Sequence, residues 1–472
     1  MNLRTLFSFQ GRVQRATYAV VGILGVLLKH SLDRLLAYSR FNQPWGLFNY
    51  LSPLGRFAAN HALSTDEKKF LLALAATALP FIWVGIAMTL KRLRDAGQPI
   101  QLVFLFFVPA INVLFFLLLC LIPTAEPPQV PPGNRVPWVA RLLPKSKLGT
   151  TLFSSVVCAA IAVAFAWYAV AIFGNYGWTL FMAVPFFMGF LSTWLYSYRH
   201  ECTYTECFFL ALGSVFLAAV FIAGFALEGI ICLALCAPLA VPLAALGAYV
   251  AYVMRATRNL EARSNTVLSL LFAIPLMVGA EFLAPGPTPE FQTHTAIEIS
   301  APPELVWQRI IAFPRIDAPL NPLFRAGISY PLEARIVGTG LTADRKCIFS
   351  SGAFNEPILA WEEGKHFAFG VSEEPPLMKE LSPYGAIHVR HLDDHDFRPL
   401  RADFYLTELP GGRTRLDGVT TYQNRMWPGA YWRLWTDAIV HQIHFRVFNQ
   451  VKKLAEQDAS IRQEAPKVRG FQ

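Results

Sequence analysis

The stretch that decides the fold of the last third of the chain is His294-Thr-Ala-Ile-Glu-Ile-Ser300, followed directly by Ala301-Pro-Pro-Glu-Leu-Val-Trp-Gln-Arg-Ile-Ile311. Its first half alternates apolar and polar residues, which predicts a strand with one buried face. Its second half opens with two prolines and carries Glu304 in the coming first turn; both suit a helix start. Val306, Trp307, Ile310 and Ile311 then mark one face of that helix.

Downstream, short strand-like stretches are predicted at 339–349, 353–361, 366–371 and 385–391. Arg401 to Tyr422 reads as a hairpin whose strands flank Pro410-Gly-Gly412, a strong turn signal. A helix follows at roughly 429–456, with Trp432, Trp435, Ile439, Ile443, Val447 and Val451 expected on its apolar face. Strand, helices, antiparallel strands and a long closing helix make an α+β domain, a sheet wrapped on a C-terminal helix. Its expected span is 286–458, with a polar tail at 459–472.

Upstream the chemistry changes at Ala284-Pro-Gly-Pro-Thr-Pro289. Of the whole chain 54% is apolar and only 15% charged, well below the charged share of soluble domains. Before Pro289 there are 20 Lys/Arg against 10 Asp/Glu, and after it 21 against 22. The net +9 therefore sits in the apolar two-thirds. Such a basic excess between apolar runs sets membrane topology. With no arginine-rich groove, zinc knuckle or RNP-like motif, a nucleic-acid partner is not expected. Apolar runs occur near 17–37, 70–90, 101–123, 149–173, 178–198, 208–227, 230–254 and 265–284, lengths that suit bilayer crossing. Pro109 and Asn112 break the third, which reads as a kinked span or a re-entrant segment. The proline-rich stretch 124–137 reads as a linker, giving membrane regions 1–137 and 138–285. The former has about three apolar segments and the latter about five helices. Lys29, Asp33 and Arg34 are expected to snorkel from a helix end.

The opening Met1–Arg15 shows no signal-peptide pattern, so an uncleaved anchor is expected. Cys120, Cys158, Cys232 and Cys236 lie in apolar runs. Cys202 and Cys207 flank a short loop and are expected to pair only if it faces an oxidising compartment. Putting the basic clusters on the cytoplasmic side leaves the C-terminal domain outside, on the periplasmic side, given seven crossings and a re-entrant third run.

Two resemblances accompany these readings. Phe7-Ser-Phe-Gln-Gly-Arg12 with Arg15 and Tyr18, then Lys91-Arg-Leu-Arg-Asp-Ala-Gly97 and Pro132-Gly-Asn-Arg135, resemble the 805 family of bacterial inner-membrane domains of unknown function. Arg94 stands where that family usually has His. The resemblance implies membrane location and no chemistry. For Lys91, Arg92 and Arg94 the expectation is contact with anionic headgroups. Ile297 to Trp307, Pro357-Ile-Leu-Ala-Trp361 and the Trp-rich closing helix resemble the START-like, Bet v 1-like superfamily, which includes polyketide cyclases and lipid-transfer proteins. That resemblance implies a helix-grip fold with a ligand cavity between sheet and long helix.

Candidate cavity residues are Trp361, Phe367, Phe369, Phe404, Tyr422, Trp427, Tyr431, Trp432 and Trp435, weighed against their simply filling a core. Polar candidates are Glu298, Asp403, Tyr405, Asp437, His441 and His444. Arg433, Asp437 and His441 follow at four-residue spacing, a possible charge ladder. His388, His391, Asp393, His395 and Asp396 have metal-ligand side chains but no zinc spacing. No cofactor or metal is expected, and no nucleophile motif appears. The expected function is a membrane-tethered domain that binds a lipid or other hydrophobic small molecule. The alternatives are a cyclase- or hydrolase-type enzyme on a membrane-soluble substrate and a protein-interaction module with a closed core. The bilayer is the expected partner; no protein partner is indicated.

Overall fold

A computed structural model describes residues 6–41, 45–46, 65–98, 100–107, 111–125, 141–172, 176–254, 274, 276–278, 288–372, 375–382, 385–387 and 397–464. The expected strand residues 388–391, the His388–Asp396 cluster, most of the last apolar run and nearly all of the proline-rich linker lie outside these. The chain divides into two compact units, Met1–Leu227 with Leu233–Pro287, and Glu228–Cys232 with Thr288–Gln472.

The first unit is helical. Its elements are α1 (Arg15–Phe41), α2 (Thr65–Asp95), a 3-10 stretch at Ile100–Phe107, α3 (Ile111–Leu121), α4 (Lys147–Trp167), α5 (Val184–Tyr196), α6 (Tyr204–Gly224) and α7 (Ile230–Met254). Among the described residues five helices are long and apolar enough to cross a membrane: Lys69–Asp95, Lys147–Val170, Thr179–Tyr196, Tyr204–Gly224 and Ile230–Met254. The third apolar run is divided between the 3-10 stretch and α3. Glycines bring α5 and α7 together: a Cβ on Gly189 would strike the carbonyl of Ala244, and one on Gly247 the carbonyl of Phe186. Small residues allow this backbone approach between apolar helices.

Two expectations about charge are corrected here. Asp33 does not snorkel; it is fully buried, ion-paired with Lys29, and accepts a hydrogen bond from Thr77 Oγ1 at 2.9 Å. A partner on α2 is available at that depth, so pairing replaces reaching for water. Lys91 and Arg92 are likewise buried rather than spread on headgroups. The Arg92 guanidinium donates to the carbonyls of Leu119 and Ile122 and pairs with Asp95. Asp95 also accepts from Thr124 Oγ1 at 2.8 Å. Arg94 donates to the carbonyl of Phe9. The Arg-Leu-Arg-Asp motif is thus a clasp. It satisfies the carbonyls left over at the end of α3, which hydrocarbon cannot do.

The second unit is a helix-grip α+β domain. Its elements are β1 (Glu290–Ile299), α8 (Pro303–Ile311), α9 (Pro322–Ala326), β2 (Pro331–Val337), β3 (Asp344–Phe349), β4 (Gly352–Asn355), β5 (Ile358–Glu362), β6 (His366–Gly370), β7 (Glu380–Ser382), β8 (Gly385–Ile387), β9 (Phe397–Leu409), β10 (Arg413–Asn424) and α10 (Gly429–Glu464). The main sheet is antiparallel in the order β1-β10-β9-β6-β5, beside a three-stranded β2-β3-β4 sheet and a β7-β8 pair. Strand β2 was not expected; its Pro331 and mixed residues hide the alternation. α10 runs on to Glu464, beyond the expected end; past residue 456, Asp458 pairs with Arg309 at 2.7 Å and Ala459 still packs against the core.

One end of the sheet–helix interface is a dry core. Ile299, Leu305, Val306, Trp307, Ile310, Phe367, Phe404, Leu416, Phe448, Val451 and Ala455 pack there. Trp307 meets Trp361 edge-on at 5.3 Å and Phe367 at 6.0 Å. Burying side chains of this size contributes about 1.5–3 kcal/mol each, which makes this end the anchor of the domain. A buried ion pair lies beside it. Arg345 pairs with Glu356, donates to the carbonyls of Ile310 and Ile311, and sits 4.6 Å over the ring of Phe369. Burial pushes its guanidinium down to about 10, still charged near neutrality.

Candidate functional site

The other end of the same interface is polar. Inward positions on β1 alternate from Ile299 and Ile297 back to Thr295, Thr293 and Phe291, because the side chains of a strand change face at every residue. On β10 the matching positions are Gly418, Thr420 and Tyr422, placed by the register Thr293↔Thr420 and Thr295↔Gly418. α10 lies across both and presents Asp437, His441 and His444.

Two hydrogen-bonded groups result. In the first, the Asp437 carboxylate accepts from Tyr422 Oη at 2.9 Å, from Thr293 Oγ1, and from Arg433 Nε at 3.1 Å. Arg433 lies 5.5 Å over the ring of Phe291. Burial, then the Asp437 charge, pushes the Tyr422 phenol up, so it stays a donor. In the second group, His444 sits between two hydroxyls, Thr420 Oγ1 at 2.8 Å from Nε2 and Thr295 Oγ1 at 2.8 Å from Nδ1. Thr295 Oγ1 also meets His441 Nδ1 at 2.7 Å. Burial, reinforced by His441 and His294, lowers His444 to about 3. Its ring is therefore neutral. One nitrogen donates and the other accepts, which hydroxyls satisfy in either tautomer.

Asp437, His441, His444 and Tyr422 thus come together. The four-residue ladder holds between Arg433 and Asp437, while His441 joins through Thr295 instead. Thr293, Thr295 and Thr420 were missed in the sequence. Counting inward positions back from Ile299 would have found the first two.

Glu298, Asp403 and Tyr405 are on the opposite face of the sheet, not toward α10. Parity decides this: Ile297 and Ile299 on β1, and Ala402, Phe404 and Leu406 on β9, take the inner side. Glu298 instead pairs with Arg413 at 2.8 Å. Asp403 accepts from His366 Nε2 at 2.9 Å and Arg401 Nε at 2.7 Å, and Tyr405 stacks on His366 at 4.4 Å. Trp361, Phe367, Phe369 and Phe404 belong to the dry core. Tyr422 is fully buried between Phe291 and Phe397. Trp427, Tyr431 and Trp432 gather at the start of α10, where Trp432 Nε1 donates to the Trp427 carbonyl at 3.4 Å and Tyr431 meets Trp432 edge-on at 5.4 Å. Trp435 is half-buried one turn on. Among the described residues no three His, Cys, Asp or Glu side chains are placed to hold a metal ion.

Residues 6–129 match the family described as "Protein of unknown function (DUF805)". No curated protein matches the chain. Among solved structures, it is similar to norcoclaurine synthase from Thalictrum flavum, at 12% identity and a TM-score of 0.24, over 36% of this chain and 96% of that one. It is similar to the Zhui aromatase/cyclase from Streptomyces sp. R1128 at 13% and 0.24, over 36% and 94%. Aha1 from Colwellia psychrerythraea follows at 12% and 0.21, over 35% and 96%. Likeness this distant leaves the reading of the site to the geometry above.

Proposed function

We propose that this is a multi-span protein of a bacterial inner membrane whose START-like domain, on the periplasmic side, holds a lipid or other hydrophobic small molecule near the bilayer. The observation that carries the reading is the polar strip in an otherwise apolar grip. Burying His444, Tyr422, Thr293 and Thr295, with Asp437 and Thr420 half-buried beside them, costs stability unless every group is paired, and apolar residues would close the interface more cheaply. A few oriented polar groups at the end of an apolar interface are what fix the head of a hydrophobic ligand. The orientation rests on the basic residues around Arg12, Arg141 and Arg258, since Lys91 and Arg92 are taken up by the clasp.

The test is uptake of a dansyl-labelled fatty acid by the full-length protein in detergent, read as energy transfer from tryptophan. Saturable transfer is expected, and Thr295→Val or Tyr422→Phe should weaken it about tenfold, one hydrogen bond's worth. Transfer that never saturates, or that ignores both substitutions, counts against the strip as a ligand site.

A further inference from the structure

The start of α6 carries an arrangement of sulfur that its helix cap explains only in part. Thr203 is the N-cap: its hydroxyl accepts from Glu206 N at 3.3 Å, and Glu206 Oε2 accepts from Thr203 N at 2.8 Å. This is a capping box, and its usual companion is an apolar contact between the residue before the cap and the fourth residue of the helix. Here those two positions are Cys202 and Cys207. Both are buried, at 5% and 0% exposure, beside Tyr196, Leu210, Ala211, Ala244 and Ala248. Their sulfurs lie 2.8 Å apart. A disulfide needs about 2.05 Å, so the cap has already brought the two side chains nearly to bonding distance. Any apolar pair would serve as a staple; two thiols held this close can also be joined.

We propose that Cys202 and Cys207 are a redox-active pair that closes into a disulfide across the first turn of α6. Closure is thiol–disulfide exchange with a small disulfide oxidant. One cysteine thiolate attacks the oxidant and releases a thiol; the second attacks the mixed disulfide and releases another. The two cysteine protons leave on the released thiols. Access comes through the end turn of α6, because helix ends open at lower free energy than their middles. The resting state depends on the orientation proposed above, which puts the loop before α6 in the cytoplasm, where thiols are kept reduced.

The experiment is thiol trapping of the full-length protein in cells, with and without dithiodipyridine, followed by alkylation and peptide mass spectrometry. Two alkylated cysteines are expected in untreated cells. After oxidation, a peptide short of two hydrogens and closed to alkylation is expected, restored by reductant and absent in C202S and C207S. A bridge already closed in untreated cells supports the pair and overturns the orientation. Both cysteines still alkylated after oxidation, or each capped singly by the reagent, overturns the pair.

Discussion

Arg345 and Glu356 illustrate how a buried charge is tolerated in this domain. The guanidinium is paired with a carboxylate, donates to two carbonyls and lies over two aromatic faces. Removing one partner leaves the other charged and alone, at a cost of about 3–5 kcal/mol, whereas replacing both by apolar residues is near neutral. Chemical unfolding should therefore show Arg345→Leu strongly destabilised and the Arg345→Leu, Glu356→Leu double variant close to the parent. If the double variant is the weaker, the pair contributes net stability of its own. His444 makes a pH prediction. Its folded value, about 3, lies below the ordinary 6.5, so below pH 6.5 the unfolded chain binds a proton that the folded one refuses. Stability then falls with pH through the window from 6.5 to 3, by up to about 1.4 kcal/mol per pH unit from this group. His444→Gln should flatten the acid slope of the thermal midpoint; an unchanged slope would mean that His444 is not neutral in the folded state.

At the scale of elements, α10 shows what the sequence could and could not reveal. A long helix with an aromatic start was legible, and Trp432 and Val451 were read correctly as buried, but the row between them was read one residue off. The row facing the sheet is Trp432, Thr436, Val440, His444, Phe448, Val451 and Ala455, while Trp435, Ile439, Ile443 and Val447 lie half-buried on the flank. Hydrophobicity pointed to the second row because Thr436 and His444 look like surface residues. They are buried because Asn424, Thr420 and Thr295 meet them, and partners on the sheet 12 to 149 positions away leave no local signal. The same holds for β2, whose pairing with β3 rather than its composition makes it a strand. Between α5 and α7 the decisive residues are glycines. Gly247→Val forces apart backbones that touch, at about 1–3 kcal/mol. A lowered thermal midpoint of the detergent-solubilised protein is expected; no change would mean that the helices have room to part.

For the whole molecule, charge and periodicity change together at Pro289, and the apolar helices lie before it and the α+β elements after it. The helix-grip order followed from the strand–helix opening and the closing helix. The role of the Arg-Leu-Arg-Asp motif did not follow, because a basic cluster reads the same whether it meets headgroups or caps a neighbouring helix. The central claim is that the second unit holds a hydrophobic molecule by its polar strip. Native mass spectrometry of the full-length protein released from its own membrane tests this most directly, with the Thr295→Val and Tyr422→Phe variants alongside. The account predicts one discrete hydrophobic compound per chain, retained by the parent and depleted in both variants. A bare chain carrying only bulk membrane lipid, the same in all three proteins, would contradict it.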